Sequence, residues 1–343
     1  MKKTTHSNTK KSPALEKINW KALRRMHGKD FLNTTHFSAE QLHAVHDLAF
    51  TLKHAHVHGS GTPPLLEGKT LAMVFEKPST RTRVSFEAGM FGLGGHALYL
   101  DAQKTQMSRS EDWQDTARTL SGYTDAIMAR VYEQHTLETL AKYSPKPVVN
   151  GLSNQLHPCQ ILSDLFTIRE HFGKLQGLHV LYSGVVDNVA YSLALGCAQM
   201  GVDFTLATPH PFHTNQSIWK QAQAIAKKSH SHVQHFDSMP PAKVLKSVHV
   251  AYTDEWESMH MKLDKQKLFP LLSRYQVNEK LLAQCARGAM AMHCLPAIKG
   301  EEVNASVMYG KHSLVWTQAQ NRMYAQQALL VALLGNLDSE SFS

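Results

Sequence analysis

Two hydrophobic rhythms alternate along this chain. Short contiguous apolar runs, the mark of strands buried on both faces, are followed by longer stretches whose apolar residues recur every three or four positions, as on a helix packed by one face. Ser38 and Gln41 form a capping box, and Leu42, Val45, Leu48, Ala49 and Leu52 then predict a helix to about His56. Residues 71–75 (LAMVF) read as a strand, 80–93 as a helix stopped by Gly94 and Gly95, 97–100 as a strand, 113–123 as a helix, and 126–131 and 147–149 as strands. A longer helix opens at Pro158, suited to a first helical position, and runs to Gly173. The alternation then restarts: strand 178–182, helix 189–200, strand 204–207, helix 218–228, strands 248–252 and 289–292, and a last helix over 318–334. Such a pattern specifies parallel sheets covered by helices. The expected fold is α/β, with two doubly wound parallel-sheet domains joined by interdomain helices.

The length of 343 residues accommodates two domains, and no apolar run approaches the roughly 20 residues of a membrane span. Net charge is +8, which taken whole points toward a polyanionic partner. Its distribution points elsewhere. Residues 1–29 carry nine Lys/Arg and one acid, leaving 27 basic and 27 acidic residues in the rest. The excess belongs to a Lys-, Ser- and Thr-rich segment, read as a flexible arm with neither the apolar stretch of a secretory signal nor the amphipathic face of a transit peptide. Neither nucleic acid nor membrane is expected as a partner. Cys159, Cys197, Cys285 and Cys294 form no CxxC pair, which fits a reducing, cytoplasmic setting.

Candidate chemistry gathers where strands feed helices, the ends at which open parallel sheets bind ligands. The segment 75–83 (FEKPSTRTR) offers Ser79, Thr80 and Thr82 hydroxyls, helix-start amides, and the guanidinium groups of Arg81 and Arg83, a set suited to phosphate or, more plainly, to a capped helix start. Arg130 ends a strand, and His157 and Gln160 open the Pro158 helix. Converging on one carbonyl, the three would stabilise a tetrahedral oxyanion; singly, each suits capping or packing. In the second half, Asp254 and Ser258–Met259 follow a strand, and His293–Cys294–Leu295–Pro296 follows another; a carboxylate there suits an ammonium, and a thiol suits proton handling or simple burial. The histidine groups His54, His56, His58 and His230, His232, His235 lack a nearby Cys or carboxylate to complete a zinc set and read as solvated loops; no metal site is expected.

Taken in order, FEKPSTRTRVSFE, DTARTL, ARVY, NGLSNQLHPCQ, TDEWESM, HCLPA and QNRMYAQQALL resemble the aspartate/ornithine carbamoyltransferase family, and its ornithine branch in particular, from Gly28 to the last helix. The resemblance implies a carbamoyl-phosphate-binding domain over 30–155, joined by a C-terminal helix at about 320–338, and an ornithine-binding domain over 156–319. It implies that Ser79, Thr80, Arg81 and Thr82 bind the phosphate of carbamoyl phosphate, that Arg130, His157 and Gln160 address its carbonyl end, and that Arg322 contacts it too. Gln106 matches a loop that the family lends across a subunit boundary, implying a homotrimer with shared sites. For L-ornithine, Asn188 matches the carboxylate end, Asp254, Ser258 and Met259 the α-amino group, and Cys294 with the Leu295 carbonyl the attacking δ-amine. Arg130, His157, Asp254 and Cys294 are the expected catalytic set, and no cofactor is implied.

Departures from the family pattern fall on the acceptor side. His260 replaces a glycine, and the loop after the first strand of the second domain reads Gly184-Val-Val-Asp-Asn188, without the family's early acid. Rival readings are transfer to another amine, such as putrescine or an acylated ornithine, or a binding protein that uses the basic arm. Asp254 favours an acceptor with a free α-ammonium over an acylated one.

Overall fold

The computed structural model describes residues 18–59, 61–108, 111–210, 212, 215–257 and 265–337. Ser258, Met259 and His260 lie outside the described residues.

The first sheet holds β1 (Thr70–Phe75), β2 (His96–Asp101), β3 (Ala126–Arg130) and β4 (Val148–Leu152), all parallel, in the order β2-β1-β3-β4. The second holds β5 (His179–Ser183), β6 (Asp203–Ala207), β7 (Val233–Phe236), β8 (Val250–Thr253) and β9 (Met290–His293), also parallel, in the order β7-β6-β5-β8-β9. Leu71 to Phe75 in β1 are buried without a polar interruption, because helices cover both faces of the sheet. Each sheet reverses its strand order once, between β1 and β3 and between β5 and β8. Ligands bind beyond strand carboxyl ends at such reversals.

Helices α1 (Trp20–Arg24), α2 (Ala39–Val57), α3 (Thr80–Phe91), α4 (Trp113–Tyr123), α5 (Gln134–Tyr143) and α6 (Pro158–Phe172) belong to the first half. In the second are α7 (Asn188–Gln199), α8 (Gln216–Ser229), the short α9 (Ala242–Leu245), α10 (Lys265–Leu272), α11 (Glu279–Leu282) and α12 (Ala305–Met308), then α13 (Val315–Leu334). The last helix returns to pack on α6, α2 and α3. Helices α6 and α7 approach so closely that a Cβ at Gly196 would stand 2.6 Å from Ile161 Cγ2.

The expected flexible arm needs correction at its far end. Ile18, Ala22, Leu23 and Met26 are buried, the Gly28 amide donates to Leu333 O at 3.0 Å, and Arg24 donates to Leu337 O at 2.9 Å. The i, i+4, i+5, i+8 apolar spacing is masked in the sequence by the exposed Lys21, Arg24 and Arg25 between. Helix α5 and strand β7 also go unseen in the pattern: α5 buries few apolar side chains, chiefly Leu137 and Leu140, and β7 (VQHF) is a polar edge strand. His54 and His56 sit on the last turn of α2 rather than in a loop.

Candidate active site

Both strand reversals open on one cleft of about 680 Å³. From the first domain it is lined by Lys77, Ser79, Thr80, Arg81 and Arg130, from α6 by His157 and Gln160, from α13 by Arg322, and from the second domain by Asp187, Asn188, Asp254, Cys294 and Leu295.

At the start of α3, Ser79 Oγ caps the Thr82 amide at 3.3 Å, leaving the amides of the first turn without intrahelical acceptors. Thr82 itself does not line the cleft. Its buried hydroxyl oxygen accepts from Ser79 Oγ at 3.1 Å and from Arg322 Nη2 at 3.1 Å, so it braces Arg322 from beneath. Arg83 turns away, bonded to Glu87 at 3.0 Å and stacked over Tyr99.

The first-domain half of the cleft is a cation cluster. Arg130 is held down to about 10 by burial and by Arg322 and Arg81, and Arg322 is lowered by its own burial, with Arg81 adding to it. Arg130 Nε and Arg322 Nε are buried with no protein partner. Three guanidinium groups that repel one another, with buried N–H groups left open, are preorganised for an anion.

His157 occupies the N-cap of α6, where its amide donates to Ser192 Oγ at 2.7 Å. Burial and the three arginines hold its imidazole well below the ordinary range, so it is neutral, and Nδ1 is buried and unpaired. Gln160 differs from the sequence-based expectation. Its Nε2 donates to Asp164 Oδ1 at 2.9 Å, leaving the buried Oε1 without a partner. As placed, Gln160 offers an acceptor, which cannot polarise a carbonyl and suits an N–H donor instead.

Asp164, four residues on along α6, is a positioning residue that the sequence reading missed. It also accepts from Gln318 Nε2 at 2.8 Å and Tyr252 Oη at 2.8 Å, and burial pushes its carboxyl up to about 6. Gln318 in turn accepts from the His293 amide at 2.9 Å, so α6, α13, β8 and β9 are tied at one buried point.

On the second-domain side, Asn188 lines the cleft while donating to Ser153 O at 2.5 Å, a bond between the two halves. Cys294 is buried; its thiol is hydrogen-bonded to Asp254 and pushed well up by burial and by that carboxylate, so it is a neutral donor rather than a base near neutral pH. Leu295 has φ +61°, a conformation that costs a side-chain-bearing residue about 1–2 kcal/mol. Its amide is held by His293 Nδ1 at 2.8 Å, and His293 Nε2 donates to buried Glu302 at 3.1 Å. With both ring nitrogens engaged, the Asp254, His293 and Cys294 group, whose ligand atoms lie within 4.8 Å of one another, has no open imidazole to offer a metal. Gln106, like Thr82, is an expected residue that does not line the cleft: it is exposed on a short 3₁₀ turn.

Comparison with known proteins follows the same division. The model of the aspartate/ornithine carbamoyltransferase carbamoyl-P binding domain matches residues 29–170, and that of the family's Asp/Orn binding domain matches 176–333. The first match ends in the last turn of α6 and the second begins shortly after that helix. An ornithine carbamoyltransferase of Anoxybacillus flavithermus is 44% identical over 317 residues, spanning 92% of this chain and 100% of that protein. An anabolic ornithine carbamoyltransferase of Pyrococcus furiosus is 44% identical over 90% of this chain and 98% of its own. A solved ornithine carbamoyltransferase structure from Pyrococcus furiosus superposes with a TM-score of 0.86 at 43% identity, covering 91% of this chain and 98% of that one. Two matched domain models, near-complete relatives and a shared two-sheet architecture all agree: this chain belongs to the aspartate/ornithine carbamoyltransferase family.

Proposed function

We propose that the protein transfers the carbamoyl group of carbamoyl phosphate to the δ-amine of L-ornithine, giving L-citrulline and phosphate. The observation that carries this reading is the pairing, across one cleft, of three arginines, two of them with unfilled buried Nε donors, and the carboxylate of Asp254.

Phosphate is held by Ser79, Thr80, the first amides of α3, Arg81 and Arg322, with Thr82 supporting Arg322. The guanidinium of Arg130 and the single N–H of neutral His157 address the carbonyl oxygen, while Gln160 Oε1 accepts from the carbamoyl NH₂. Ornithine lies opposite, its carboxylate toward Asn188 and its α-ammonium at Asp254, a group to which the family resemblance also assigns Ser258 and Met259. Cys294 and the Leu295 carbonyl stand beside the δ-amine. The neutral amine attacks the carbamoyl carbon, the new oxyanion rests on Arg130 and His157, and the C–O bond to phosphate breaks with its electrons retained by phosphate, which takes up the proton lost by the δ-nitrogen. The reaction as written calls for no cofactor.

The division into a carbamoyl-phosphate domain, an ornithine domain and a returning C-terminal helix belongs to this proposal. So does a homotrimer in which exposed Gln106 completes a neighbour's cleft. A cytoplasmic setting is supported by four cysteines that are all free thiols; separately, no described helix is long and apolar enough to cross a membrane. Acceptor choice is tested by comparing citrulline with carbamoylputrescine formation in one enzyme preparation. Ornithine is expected to win by a large factor in kcat/KM, and preference for putrescine would overturn the assignment of the acceptor.

A further inference from the structure

Asp187 is an acid at the acceptor end of the cleft to which the reaction above gives no role. It caps α7, its Oδ1 accepting from the Val189 and Ala190 amides at 2.9 and 3.2 Å and from the Tyr182 hydroxyl at 3.3 Å. Its carboxyl group is also hydrogen-bonded to that of Asp254. Two carboxylates in hydrogen-bond contact require a proton between them, since like charges at that range cannot both ionise freely. Both line the cleft, and both are only half-buried, so a ligand reaches them.

We propose that Asp187 and Asp254 act as one proton-sharing pair that recognises the α-ammonium of the acceptor, whose arrival displaces the shared proton to solvent. This rests on the transferase reading and adds to it a specificity-determining residue and a proton count. In the exchange an O–H bond of the pair breaks and the proton passes to buffer. The pair goes from one negative charge to two, and the N–H groups of the cationic ammonium replace the lost hydrogen bond.

The groups that face the pair fit this role. Tyr182 from β5 and the Glu255 amide, 2.8 Å from Asp254 Oδ1, donate to it, as does the Cys294 thiol after β9. Tyr252 from β8, Tyr191 from α7 and Arg130 across the cleft act on the pair electrostatically, and Lys77, Arg81, Arg322, Glu255 and Glu257 line the same cleft. Burial, and then the neighbouring Asp187, raises Asp254 well above the usual carboxylate range. Acceptor affinity therefore rises with pH for a reason separate from deprotonation of the δ-amine.

L-norvaline, which is ornithine without its δ-amine, isolates the effect. Calorimetric titration of norvaline into enzyme saturated with carbamoyl phosphate, in buffers of different ionisation enthalpy from about pH 5 to about pH 9, counts protons released. Wild type is expected to release close to one proton per norvaline near neutrality. Asp187→Asn keeps an oxygen for the α7 amides and is expected to move the half-release point down by about one pH unit or more. A wild type that releases no proton, or a variant whose release curve superimposes on it, overturns the pair. Citrulline formation by an enzyme whose norvaline binding releases no proton leaves the transferase standing and the pair refuted, whereas failure to bind norvaline or to form citrulline overturns both.

Discussion

Replacing Asp164 by Asn should make the protein more stable and the enzyme worse. The carboxylate of Asp164 is fully buried and accepts three hydrogen bonds, from Gln160, Gln318 and Tyr252, yet burial still raises it from 3.8 to about 6. At 1.36 kcal/mol per unit, that rise means that keeping the group ionised near neutrality costs the fold about 3 kcal/mol. Because its folded value lies above its unfolded one, Asp164 stabilises the fold most at low pH and loses that contribution as pH rises from about 4 through about 6. An Asn, which never ionises, carries no such dependence. The stability of Asp164→Asn relative to wild type, from urea unfolding at several pH values, should therefore climb by up to about 3 kcal/mol between about pH 4 and pH 8. Activity should move the other way. Gln160 loses its charge-assisted anchor, worth about 1.5–3 kcal/mol, and kcat/KM should fall about 10- to 100-fold near pH 8. Parallel stability profiles for the two proteins, or an unchanged kcat/KM, would refute the positioning role of Asp164.

His179, bonded to Ser247 and Thr205 and pushed down to about 4 by burial, is neutral in the fold. Its folded value lies below the unfolded 6.5, so about 3 kcal/mol present above pH 6.5 should drain away as pH falls toward 4, and His179→Gln should flatten that slope in urea titrations. Arg130→Gln removes a donor to the developing oxyanion and should lower kcat by about 100- to 1,000-fold, measured by initial rates. At Gly196, alanine places its Cβ 2.6 Å from Ile161 and should destabilise by about 1–3 kcal/mol through the α6–α7 contact, read as a lower urea midpoint at unchanged slope.

What the sequence makes legible here is whatever depends on local period or on contiguous motif. The apolar run of β1, the Pro158 start of α6 and the long apolar stripe of α13 appear because each is buried along most of its length. Helix α5 and strand β7 escape because their few apolar positions leave the period too thin, and α1 escapes because cations fill the spaces between its buried residues. At the site, Arg81, Arg130, His157, Asp254, Cys294 and Arg322 converge as the motifs suggest. Direction of a side chain is another matter. Only the Asp164 bond shows that Gln160 presents its oxygen, only the Arg322 bond shows that Thr82 is a brace, and only the contact with Asp254 gives Asp187 a function. These are long-range facts that no window of sequence contains.

One measurement bears most directly on the central claim. Carbamoyl phosphate and L-ornithine, both saturating, are incubated with the protein near pH 8, and citrulline and phosphate are quantified together over time. Equal rates of the two products are expected, each requiring both substrates and each falling in step in Arg130→Gln. Phosphate without citrulline, or neither product, would contradict the assignment of this cleft to carbamoyl transfer.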